Sequence, residues 1–79
     1  METGKKETIY QKTKQELLNQ IRDRRLQKGW SIYRMARETG IDRTYLLRIE
    51  RGEVAIGLNN LVYICNALDL DIILNPKQK

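Results

Sequence analysis

Residues 30–52 read WSIYRMARETGIDRTYLLRIERG, and the reading of this stretch decides the fold. Ser31 stands where a helix N-cap is wanted, and Trp30 and Met35 flank it at the spacing of a hydrophobic staple. Position 34 is Arg rather than Glu, so the capping box is incomplete. A short helix is predicted from Ile32 to about Thr39, with Met35 and Ala36 facing inward. Gly40 follows, a residue that accepts a left-handed turn without steric cost. Asp42 then caps a second helix, with Ile41 and Leu46 as a second staple across it. Leu46 and Ile49 form the inner stripe of that helix, and Gly52 closes it.

Two short helices joined by a tight glycine-containing turn let the second helix enter a DNA major groove. The outward positions near its start are Arg43, Thr44, Tyr45, Leu47 and Arg48. The Arg fork matches guanine O6 and N7, and Thr bonds a base edge or touches a thymine methyl. Tyr45 is suited to a base edge or a phosphate.

Upstream, residues 13–28 favour a helix in which Leu17, Leu18, Ile21, Arg25 and Leu26 are spaced to face inward, ending at Gly29. Residues 1–12, METGKKETIYQK, lack periodicity and are expected to form a flexible N-terminal arm. Downstream, residues 53–57 are a loop. Leu58, Leu61, Val62, Cys65 and Leu68 recur at spacings of three and four, which predicts a fourth amphipathic helix. Leu68, Leu70, Ile72 and Leu74 then recur every second residue, which predicts a strand over 69–75 before Pro76 and a polar tail over 76–79. The helix-turn-helix domain is thus placed at 13–68.

The 79 residues hold one domain, whose small core calls for regular helix packing or for burial gained by dimerisation. The net charge is +5, and residues 1–52 carry a balance of +6 against −1 for residues 53–79. Positive charge on the first two-thirds suits a surface that meets phosphates, and equally a solvated basic face. One cysteine, Cys65, and no histidine leave no disulfide, no common zinc pattern and no Ser-His or Cys-His pair. The chain is therefore not expected to be an enzyme, and no catalytic residue, metal or cofactor is assigned. No apolar run is long enough to span a bilayer and no signal peptide is read, so a cytoplasmic protein without membrane contact is expected. Cys65 and Trp30 are read as core residues, and Asp69 and Asp71 as the wet face of the strand.

The stretch 30–52 resembles the helix-turn-helix of the phage Cro and repressor family, also called the XRE family. The matching residues are Ser31, Met35, Ala36, Gly40, Ile41, Ile49, Glu50, Arg51 and Gly52, and the similarity runs from about Leu17 to Leu70. The resemblance implies an all-α, compact, lambda-repressor-like bundle of four to five helices. It implies that Arg25 pairs with Glu50 as a structural bridge and that Arg43, Thr44 and Arg48 occupy base-reading positions. Two departures stand out. Position 32, usually a Gln that grips a phosphate, is Ile32, and the 53–57 loop carries no positive charge. Phosphate contacts are therefore assigned to Tyr33, Arg34 and Arg37, to Asn59 and Asn60 at the start of the fourth helix, and to Lys5 and Lys6.

Residues 67–74, ALDLDIIL, are similar to the strand that follows the last helix in HipB-type antitoxins. That resemblance implies a homodimer built through Leu70, Ile72 and Leu74, repression of its own operon and a kinase-like toxin as partner. A lone strand also leaves its backbone groups unpaired, and the chain offers no second strand except Glu7–Tyr10. A symmetric dimer would present two recognition helices to a palindromic operator in double-stranded DNA. The alternative is a protein-interaction module with a helix-turn-helix fold that no longer reads DNA.

Overall fold

The computed structural model describes residues 2–77. Four helices follow one another: α1 (Glu2–Gln27), α2 (Ile32–Thr39), α3 (Arg43–Glu50) and α4 (Leu58–Ala67). The all-helical architecture anticipated from the sequence is present, with four helices and no strand among the described residues. No helix among them is long and apolar enough to cross a membrane.

The two caps read from the sequence are made. The Ser31 hydroxyl accepts from the Arg34 amide, and the Asp42 carboxylate accepts from the Tyr45 amide. Met35 and Leu46, the far ends of the two staples, have no exposed surface, and Trp30 and Ile41 pack against the core beside them. Gly40 ends α2 at φ 75°, where a side chain would strain the backbone, and its amide bonds the Ala36 carbonyl. The other helices end in a common motif. The second residue past the cap donates five positions back: Trp30 to Arg25, Glu53 to Arg48, and Leu70 to Cys65. The left-handed position is Gly29, Gly52 and, after α4, Asp69 at φ 58°, the one non-glycine residue there.

The core is Leu18 and Ile21 of α1, Met35 of α2, Leu46 and Ile49 of α3, Ile64 of α4, and Leu68. Three cations of α1 and Lys28 just past it hold the ends of α3 and α4. Lys14 Nζ donates to the Gly52 carbonyl at 3.0 Å and Arg24 Nε to the Leu68 carbonyl at 2.8 Å. Arg25 binds Glu50, and Lys28 binds Asp69 at 2.8 Å. Helix C-termini carry unsatisfied carbonyls and partial negative charge, so cations are stabilising there.

Four expectations are corrected. The arm expected over 1–12 is helical from Glu2, continuous with the packed part of α1, because Glu2–Lys12 contains no proline and prolongs a helix already nucleated downstream, Gly4 notwithstanding. On α1, Leu18 and Ile21 face the core while Leu17 and Leu26 are exposed. On α4 the inner face is Leu61, Ile64, Cys65 and Leu68, and Leu58 and Val62 point outward. Residues 69–75 form no strand: Leu70 packs on the core, while Ile72 and Leu74 are exposed along the same open groove. A strand is defined by hydrogen bonds to a neighbour, and the single chain supplies none here.

Candidate nucleic-acid interface

Helix α3 has a buried side and an open one. Leu46 and Ile49 fix the buried side against the core, whereas Arg43, Thr44 and Arg48 are exposed. The Asp42 cap fixes where the helix begins, so these side chains leave a rigid backbone. Arg48 Nε lies 3.8 Å from the Glu53 carboxylate with both side chains about half exposed, a weak pairing that leaves the terminal guanidinium N–H groups available. Arg43 has a different neighbour. Its guanidinium carbon lies 4.1 Å from the centroid of the Tyr33 ring, on the first turn of α2.

Tyr45 is placed otherwise. Its ring is half-buried against the core, and its hydroxyl donates to the Ala55 carbonyl at 3.4 Å. At that length the hydrogen bond is weak, and the hydroxyl stays on the exposed side. Leu47 is half-buried as well.

The first turns of α2, α3 and α4 contain no acidic residue, the Asp42 cap lying just before α3. Proteins commonly place carboxylates at such positions to complement the positive end of the helix dipole. Here Arg34 and Arg43 occupy the first turns of α2 and α3, an arrangement unfavourable for the isolated helices and favourable for an anion brought to them. Arg34 is steadied by Glu38 at 2.9 Å and lies 5.0 Å from the Trp30 ring centroid. Tyr33, Arg34 and Arg37 border one polar hollow with Gly29 and Ser31, and Arg37 is exposed. At α4 the cap is Gly57 without a side-chain bond, leaving the first amides of the helix uncapped beside exposed Asn59 and half-buried Asn60. Ile32 is half-buried against the core.

Arg25 and Glu50 meet in a two-pronged pair. Nε and Nη2 reach the two carboxylate oxygens at 2.7 and 3.0 Å, while Nη1 donates to the Trp30 carbonyl at 2.8 Å. This single guanidinium ties the end of α1, the entry to α2 and the last residue of α3, and so sets the angle at which α3 is held. Lys5 and Lys6 lie on the exposed first turns of α1.

A model of the helix-turn-helix family matches residues 21–74, which contain α2, α3 and α4 and the last two turns of α1. The chain belongs to the XRE-type helix-turn-helix family. It is 36% identical over 58 residues to a protein of Neisseria meningitidis serogroup B named a hypothetical transcription factor, a match covering 70% of this chain and 55% of that protein. It is 34% identical over 62 residues to the uncharacterized HTH-type transcriptional regulator y4dL of Sinorhizobium fredii, covering 78% of this chain and 32% of that protein. The chain thus spans about half the length of one relative and a third of the other. No solved structure gives a significant match.

The charge balance foresaw basic residues without separating their uses. Lys14, Arg24, Arg25 and Lys28 are engaged by helix ends, and Arg34, Arg37, Arg43 and Arg48 form the open set around α2 and α3. Sequence reasoning missed the link between Tyr33 and Arg43, which face each other across the helix-turn-helix. The ten-residue separation gave no periodic signal, and only the crossing of α2 and α3 brings them together.

Proposed function

We propose that this protein is a sequence-specific DNA-binding transcriptional regulator, a homodimer that represses its own operon from a palindromic operator. One observation carries the reading: α3 is buried along Leu46 and Ile49 and turns Arg43, Thr44 and Arg48 outward beside helix starts free of first-turn acids. With α3 in the major groove, Arg43 and Arg48 pair with guanine edges and Thr44 with an adjacent base. Tyr33, Arg34, Arg37, Asn59 and Asn60 contact the phosphates on either side and set the register. Base reading is assigned to the two arginines and Thr44 with Tyr45 beside them, its hydroxyl 3.4 Å from the Ala55 carbonyl.

The dimer is supported by apolar surface the monomer does not cover. Leu17, Leu58, Ile72 and Leu74 border one open groove and are all exposed, with Val62 exposed nearby on α4. A helix apolar on both sides, as α4 is, is commonly buried on both. A tail that pairs across such a dimer through Leu70, Ile72 and Leu74 extends the proposal to the HipB-type antitoxins, with a kinase-like toxin as partner.

The test is selection from fragmented genomic DNA of the source organism, with the wild type beside Arg43→Ala/Arg48→Ala, and light scattering for mass. Enrichment of a palindrome with half-sites about one helical turn apart, lost in the variant, is the expected result. A toxin-like gene beside the recovered site supports the antitoxin reading. A second reading is favoured by Ile32 on the core and by the uncharged loop over residues 54–57 after Glu53: an interaction module that no longer reads DNA. The two divide on salt. A protein that meets ~6–10 phosphates loses ~10³–10⁵ in affinity between 50 and 200 mM salt, whereas a protein partner gives a shallow response.

A further inference from the structure

Tyr33 is 69% exposed, and its ring fills no part of the core. What it faces is Arg43, whose guanidinium carbon stands 4.1 Å from the ring centroid, well inside the range of a cation–π stack. Among the described residues no carboxylate pairs with Arg43; the ion pairs are Arg25–Glu50, Lys28–Asp69, Arg34–Glu38 and Arg48–Glu53. Arg43 is also the first residue of α3, where the helix dipole disfavours a cation. Its position is therefore held by the aromatic face and by nothing else described.

We propose that Tyr33 is a positioning residue for base recognition: its ring fixes the plane of the Arg43 guanidinium before DNA arrives. The inference rests on the reading of α3 as the helix that enters the major groove. A stack occupies the face of the guanidinium and leaves its in-plane N–H donors free. Those donors are the ones that pair bidentately with guanine O6 and N7. A salt bridge would occupy them, as Glu50 and the Trp30 carbonyl occupy the donors of Arg25. Arg43 is thus oriented by a contact that does not compete with its target. Long side chains lose rotamer freedom on binding, and the stack removes part of that loss beforehand. The ring, not the phenolic oxygen, carries this function.

The role separates from a phosphate contact by substitution. Wild type, Tyr33→Phe, Tyr33→Leu, Arg43→Ala and Tyr33→Leu/Arg43→Ala would each be passed through a randomised DNA duplex library, and base preferences read position by position. Tyr33→Phe keeps the wild-type preference. Tyr33→Leu loses discrimination about two- to fivefold at the one base pair per half-site that Arg43→Ala abolishes, the size expected of an exposed cation–π stack. In the Arg43→Ala background it has no further effect on preference. A Tyr33→Leu profile indistinguishable from that of Tyr33→Phe overturns the proposal. So does a uniform loss across all sequences with no change in relative base preference, which would leave Tyr33 as a phosphate contact alone. Failure of the wild type to enrich any sequence would instead refute the DNA reading itself. Thermal unfolding of each variant confirms folding, which the exposure of Tyr33 protects.

Discussion

Replacing Glu50 by Ala removes the acceptor of two of the three hydrogen bonds made by the Arg25 guanidinium. The two side chains are only 12% and 8% exposed, so water does not readily take the place of the carboxylate. The variant leaves an enclosed cation with the Trp30 carbonyl as its remaining partner, a change that costs about 3–5 kcal/mol. A domain of 79 residues is stable by about 4–12 kcal/mol at ordinary values per residue, so the loss is a large share of the whole. The assay is urea unfolding followed by helical ellipticity and Trp30 fluorescence. It is run at one fixed protein concentration, because self-association adds to apparent stability. The apolar pair Arg25→Met/Glu50→Leu supplies the control, expected within about 1 kcal/mol of the wild type or above it, since it removes both charges together. If Glu50→Ala alone costs less than about 1 kcal/mol, the pair is behaving as a solvated surface pair and the argument from its enclosure is refuted.

Three further outcomes are expected. Gly40→Ala should destabilise by roughly 1–2 kcal/mol through backbone strain alone, because φ is 75° and a Cβ there meets nothing within 4 Å; calorimetry of the variant checks it. Asp69→Asn tests a pH effect: the hydrogen bond from Lys28, and then its charge, hold the Asp69 carboxyl below its ordinary value. A lowered folded pKa means the stabilisation is present above the unfolded value, ~3.9, and is lost as pH falls through the folded one. The gap between wild-type and variant urea midpoints should therefore close on acidification, and a constant gap would contradict it. Leu58→Ser/Leu74→Ser, at two exposed positions beside the apolar groove, should leave the monomer's helix content unchanged and reduce the mass measured by light scattering.

The helix-turn-helix was legible because its signals are local. Ser31 and Asp42 bond amides three residues away, the staples span five, and Gly40 answers a single backbone angle. The boundaries of α2 coincide with those predicted for the same reason. The face of α4 was not legible: Leu58, Leu61, Val62, Ile64, Cys65 and Leu68 satisfy two overlapping helical stripes, and only packing against α1 and α2 chooses the one containing Ile64. The start of α1 was missed because apolar periodicity reports burial rather than helicity, and residues 4–13 are exposed all round. The outward set on α3 was read from spacing, but Tyr45 has an apolar body and a polar tip, and the sequence does not say which environment claims each. Its ring packs against the core, and its hydroxyl lies 3.4 Å from the Ala55 carbonyl, ten residues on.

The continuity of α1 places a boundary of the domain inside a helix. From Leu18 onward its residues are anchored by the core, while the turns before Tyr10 are held by their own hydrogen bonds and by the helix they prolong. Amide protons along this one element should therefore exchange with solvent on a gradient, fastest near Glu2 and approaching the global unfolding rate at Ile21. Ellipticity will accordingly fall with temperature before the core gives way, and a melting curve will show a sloping native baseline that belongs to these turns and not to the domain they extend.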